Sequence, residues 1–213
     1  TPPGGVTAET QAEAPAAGTG NVFRMPGVVL VMLTFALYCG VEAGVGLWGS
    51  SFLVESKGFA APAAATAISV YYGSITVGRV FTGFLTARLS GTQLIRYGIL
   101  VMLAGGAMLA LPLPAAVAPV GLALIGLGCA PIYPSIIHET PWRFGAANSQ
   151  RIIGFEMASA YCGPTFLPPP IGLLARQLGT YVLPVCVRSF ALLMLLLSER
   201  LNRRLRRRAA QEG

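Results

Sequence analysis

Residues 29–54 read VLVMLTFALYCGVEAGVGLWGSSFLV, and the only charged side chain among them is Glu42. A spanning helix needs about 20 mainly apolar residues, so this run is long enough to cross a bilayer. A carboxylate at membrane depth is costly unless it faces a protein interior or a water-filled pathway. A second run, residues 152–175, reads IIGFEMASAYCGPTFLPPPIGLLA and carries Glu156 as its one charge. Two lone acids in separate candidate spans point to something that moves through the protein.

The rest of the chain agrees with a membrane setting. Of its 213 residues, 54% are hydrophobic and 11% charged, against about 25% charged in a soluble domain. Apolar segments lie at about 27–54, 63–86, 97–113, 117–138, 152–175 and 181–198. All are near spanning length, so the expected fold class is all-α, with six transmembrane helices.

Arginines alternate along the connections. Arg24 precedes the first segment, Arg88 and Arg96 follow the second, and Arg143 and Arg151 follow the fourth. After the sixth come Arg200, Arg203, Arg204, Arg206, Arg207 and Arg208. The other connections hold little beyond Lys57 and Arg176. The positive-inside rule then places both termini and the arginine-bearing loops in the cytoplasm. The domain reading is a flexible cytoplasmic linker at 1–26, a six-helix bundle at 27–198 and a basic cytoplasmic tail at 199–213. The tail follows LLMLLL directly, so anionic lipid is its expected partner and nucleic acid is not.

Other chemistry is largely excluded. Cys39, Cys129, Cys162 and Cys186 form no CxxC pair, and His138 is the only histidine, so no metal or other cofactor is expected. There is no Asp, and an intramembrane enzyme would need convergent acids or a Ser/His set. Catalysis is therefore not expected. Gly40 and Gly44 share a helix face, as small residues do where helices approach closely in lipid. Pro131, Pro134, Pro164 and Pro168 to Pro170 are expected to kink the fourth and fifth spans. Arg188 lies in the last apolar run, where it must snorkel or pair.

The segment GRVFTGFLTAR places Gly78, Arg79, Gly83 and Arg88 at the end of the second span. It resembles the G-R-x-x-x-G-x-x-x-x-R loop signature of the major facilitator superfamily, which joins the second and third helices of each six-helix half. LYCGVEAGVGLW and SVYYGSITVGR resemble the seventh and eighth helices of fucose-permease-like sugar transporters in that superfamily. IYPSIIHETPWRFG and SERLNRRL look like the tenth-helix end and C-terminal end of bacterial relatives. The resemblance covers about residues 27–208 and implies one half of a major facilitator fold, the C-terminal half. The partner would be the absent N-terminal half or a second copy.

The implied function is secondary transport of a small, sugar-like solute across the cell membrane by alternating access, with proton symport. The alternative is a truncated or partner-dependent half with no activity alone. Glu42 would face the central cavity, where a carboxylate accepts bonds from substrate hydroxyls or carries a proton. Trp48, Tyr71 and Tyr72 offer rings with a polar tip for a sugar-like ligand. Glu156, one to two turns inside the fifth span, is a weaker candidate and is expected to reach cytosolic water. Gly78, Arg79, Gly83 and Arg88 would form a gating loop.

Overall fold

The structure, a computed structural model, describes residues 21–212. Residues 1–20, most of the expected linker, and Gly213 lie outside the described residues. No strand occurs among those described. The helices are α1 (Val28–Lys57), α2 (Ala61–Leu85), α3 (Gly91–Ala110), α4 (Ala118–Cys129), α5 (Ile132–Phe144), α6 (Ala146–Phe166), α7 (Pro168–Leu178) and α8 (Val182–Glu212). They make six rods, because α4 with α5, and α6 with α7, are each one rod interrupted by proline. Pro131 caps α5, and Pro168 to Pro170 open α7. A proline ring supplies no N–H and crowds the preceding turn, which ends one helix and starts the next.

The rods alternate in direction. At one end, the Lys57 ammonium meets the Leu111 carbonyl, the Ser56 and Thr180 hydroxyls lie 2.8 Å apart, and Tyr181 donates its hydroxyl hydrogen to the Ala110 carbonyl. At the other end, Arg96 pairs with Glu199 at 2.5 Å and Arg143 donates to the Thr92 hydroxyl at 2.9 Å. The arginine-bearing connections therefore gather at one end, as the charge alternation in the sequence predicts.

Side-chain burial is organised around α1, which packs on α6, α8, α2 and α7, while α4 sits between α2 and α3. Close approach needs glycine. A Cβ at Gly98 would meet the Gly128 carbonyl, and one at Gly128 would meet the Gly98 carbonyl, so α3 and α4 touch backbone to backbone. Arg188 lays its aliphatic stem against Gly106 of α3, as a long cation on an apolar surface is expected to. Leu47, Phe81, Phe84, Leu173 and Leu196 stay exposed on the outside. That distribution suits a protein whose solvent is lipid, where exposed apolar area carries no penalty.

Among the described residues, four helical stretches are long and apolar enough to cross a membrane: Val28–Lys57, Gly91–Ala110, Ala115–Phe144 and Val182–Arg207. The sequence expectation was six. The two rods short of the mark, α2 and α6 with α7, carry Ser, Thr, Tyr, Arg and Glu within their helices.

Three expected boundaries move. The third segment starts at Gly91 rather than 97, because Ser90 caps α3. The Ser90 hydroxyl accepts from Gln93 N at 3.3 Å, and Gln93 Oε1 accepts from Ser90 N at 3.0 Å. Ser90→Ala should lower stability by about 1 kcal/mol, read as a lower melting temperature of the purified chain. Residues 199–212, the expected basic tail, are helical and continue α8. Packing also begins before residue 27: Val22 is buried in a short 3-10 turn, and Phe23 meets Phe155 with ring centroids 4.6 Å apart.

Candidate functional site

Glu42 and Tyr38 lie one turn apart on the same face of α1. The Tyr38 hydroxyl donates to Glu42 Oε2. Across the groove, α2 places Arg79 Nη2 3.9 Å from the same carboxylate oxygen. The Glu42 and Arg79 side chains are 27% and 51% exposed, so the pair is not sealed inside this bundle. Tyr71, buried on α2, donates its hydroxyl hydrogen to the Glu42 main-chain carbonyl at 3.2 Å. That bond fixes α1 against α2 at the level of the carboxylate. The neighbouring Tyr72 hydroxyl lies where a Cβ at Gly46 would stand, so Gly46 makes room for the ring on the cavity wall.

These groups line a cavity of about 280 Å3, formed by Tyr38, Glu42, Tyr72, Arg79, Tyr133 and Pro164 with Cys39 and Ala43. Four elements contribute: α1, α2, α5 and α6. A second hollow of about 520 Å3 shares Arg79 and Tyr133 with the first and extends to Thr82, Gly83 and Thr86. The two form a groove along one face of the bundle, with a charged pair near its middle. Tyr72, Tyr133 and Tyr161 remain exposed on α2, α5 and α6. The site holds a carboxylate acceptor, a guanidinium donor and aromatic rings with hydroxyl tips. That set can hydrogen-bond a hydroxyl-rich or zwitterionic solute and can exchange a proton at Glu42.

The structure brings Glu42, Tyr72 and Arg79 together in one cavity wall, sets Tyr71 behind Glu42 and Gly83 farther along the groove, and leaves Trp48, Gly78, Arg88 and Glu156 outside that lining. Arg79, which the signature reading groups with the gating loop, lies within α2, a helix that runs on to Leu85, and it faces Glu42. Gly78 packs against Leu127 of α4 and Ala130 just after it, where a Cβ would collide. Gly83 lines the second hollow, and Arg88 is exposed in the turn after α2. Trp48 donates from Nε1 to the Pro168 carbonyl at 3.0 Å, and its ring lies over Gly172. Its visible role is to tie α1 to α7. Tyr38 and Tyr133 were missed by the sequence reading. Tyr38 carried a signal, its i, i+4 spacing from Glu42. Tyr133 carried none short of the tertiary packing.

Glu156 does not reach water. It is fully buried between α5 and α6. The Thr140 hydroxyl has one proton and two acceptors in reach, Glu156 Oε1 at 2.7 Å and the Ile136 carbonyl at 3.0 Å. Glu156 Oε2 and the buried Ser135 hydroxyl have no hydrogen-bond partner among the described residues. The expectation of cytosolic access fails because α5 covers this face of α6 down to Phe144. Thr140→Val removes the hydroxyl facing the acid, and stability should fall by about 1–3 kcal/mol. Thermal unfolding of the variant, with Glu156→Gln as a companion that keeps the shape, checks this.

No protein-family model matches the chain. Over 71 residues, 33% of its length, the chain is 34% identical to Bypass of stop codon protein 6 of Saccharomyces cerevisiae (strain ATCC 204508 / S288c), of which the matched part is 14%. In structure it is similar to the crystal structure of a major facilitator superfamily transporter, FucP, in the outward conformation. The TM-score is 0.68 at 16% identity, covering 84% of this chain and 43% of that one. It is also similar to the in meso crystal structure of the POT family transporter PepTSo, with TM-score 0.70 at 17% identity, covering 84% of this chain and 37% of that one. The chain spans less than half the length of either structure. At these identities the likeness shows the fold alone: an all-helical fold shared with part of each of these two transporter structures.

Proposed function

We propose that this chain is the C-terminal six-helix half of a major facilitator-type secondary transporter. It moves a small, sugar-like solute across the cell membrane with both termini cytoplasmic, driven by proton symport. The observation that carries the reading is the Glu42–Arg79 pair in a groove open along one face of the bundle. An ion pair in membrane-depth helices that lines an open groove suits a pathway better than a packing device. In this reading α2 and the α6–α7 rod also span the membrane. Their lower apolarity follows from lining the groove with polar side chains.

Alternating access is rocking of two bundles about a midplane site. The groove supplies one wall of that site. Glu42 takes the proton or a substrate hydroxyl, Arg79 compensates its charge, and Tyr72 and Tyr133 flank the solute. Trp48 and Tyr71 hold α1 in place behind them. Gly78 sets how closely α2 approaches α4, and Gly83 and Arg88 lie where α2 ends and a gate would move. Glu156, between two helices of the same half, serves as a second proton-holding carboxyl.

The open groove also favours a second reading, in which the chain is a truncated or partner-dependent half with no transport alone. Uptake of a panel of sugars into proteoliposomes under an imposed pH gradient separates the two. Uptake by the chain alone supports a self-sufficient carrier assembled from two copies. No uptake by correctly inserted chain, restored by co-reconstitution with a six-helix N-terminal half, supports the partner-dependent reading. No uptake in either preparation sinks the transport proposal for this panel.

A further inference from the structure

A further cavity lies away from the groove, at the end of the bundle where the arginines gather. Its volume is about 890 Å3, and Thr92, Gln93, Arg96, Arg143, Asn202 and Arg206 are among its walls. Three guanidinium groups face it against one carboxylate, Glu139. Two of the three are already positioned: Arg96 by Glu199, outside the lining, and Arg143 by Glu139 at 3.3 Å and the Thr92 hydroxyl at 2.9 Å. Arg206 is exposed on α8. The N-terminus of α3, a 20-residue helix capped by Ser90, opens at the same wall and adds the positive end of its dipole.

A second observation is independent of these charges. Asn202 is 8% exposed and lines the cavity, and its Nδ2 is buried with no acceptor among the described residues. A buried amide without an acceptor is rare and calls for a partner. An anion in this cavity would provide one.

We propose that this cavity is a binding site for a phosphate-bearing anion, held by Arg206, Arg143 and the Asn202 amide. Guanidinium groups match phosphate oxygens with charge-assisted hydrogen bonds. The volume exceeds what a lone phosphate needs and admits a phospholipid headgroup. The site is distinct from the Glu42 groove and shares no lining residue with it.

The test uses the full chain in detergent micelles. Phosphatidylglycerol, phosphatidylcholine and inorganic phosphate are each added, and bound ligand is read by native mass spectrometry and by the shift in melting temperature. Retention of phosphatidylglycerol in preference to phosphatidylcholine, with no protection by inorganic phosphate, supports the site with a lipid headgroup as the source. Protection by inorganic phosphate in lipid-free micelles, competing with phosphatidylglycerol, supports the site with a soluble phosphate as the source. Arg206→Gln, an exposed position that leaves the fold intact, should weaken either ligand about tenfold, and Asn202→Ala should weaken it further. No preference for either anion, or equal affinity in wild type and Arg206→Gln, overturns the proposal.

Discussion

Glu42→Gln is expected to reduce proton-driven uptake by about 100-fold in the assembled transporter and to flatten its dependence on external pH. Gln keeps the length and planar shape of the side chain and can still accept from the Tyr38 hydroxyl. It carries neither a charge nor an exchangeable carboxyl proton, so coupling is lost while the cavity wall stays. The Arg79 guanidinium loses its partner, but it is about half exposed, and water can solvate it without unfolding α2. An exposed ion pair contributes at most about 1 kcal/mol, so the melting temperature should barely move. Uptake measured in proteoliposomes at several pH values is the check. If Glu42→Gln transports at the wild-type rate with the same pH profile, the carboxylate is structural and the proton-coupled reading fails.

The second large effect is on assembly. Gly163→Val should destabilise the bundle by about 3 kcal/mol or more, at the upper end of the overpacking range. A Cβ at Gly163 would run into the Ala36 carbonyl and the Gly40 amide nitrogen. Both are main-chain atoms of α1, which cannot move aside as a side-chain tip can. The only relief is to push α6 away from α1, its main packing partner, and that displaces Pro164 from the cavity wall. Gly154 is on the same helix, is exposed, and has open space around its position. Gly154→Ala should therefore be neutral or stabilising by up to about 1 kcal/mol. Folded yield and melting temperature of the two variants, side by side, separate a steric effect at one contact from a general intolerance of substitution in α6.

How much of the site was legible differs residue by residue. Glu42 could be found from sequence because its signal is local: a charge in the middle of a 26-residue apolar run needs a reason. Arg79 was legible as a residue of the second span, at about 63–86, but its partner was not. Only the seating of α2 against α1 and α4 shows that Arg79 faces Glu42. For Trp48 and Glu156 the sequence shows the residue type and not the partner: Trp48 donates to the Pro168 carbonyl, and Glu156 accepts from the Thr140 hydroxyl. Residue type says what a side chain can do, and its neighbours decide what it does.

The amino-acid sequence by itself determined that this is a helical membrane protein, roughly where its apolar segments run, and which connections share an end of the bundle. Those properties depend on transfer free energies and charge counts that are summed along the chain and need no knowledge of neighbours. Only the tertiary structure decided that Glu42 meets Arg79 and Tyr38, that Glu156 is sealed, and that three arginines and Asn202 converge on one cavity. Each of these depends on the rotation and approach of rods far apart in sequence. Backbone contacts at glycines such as Gly98, Gly128 and Gly163 set those parameters, and no local pattern encodes them.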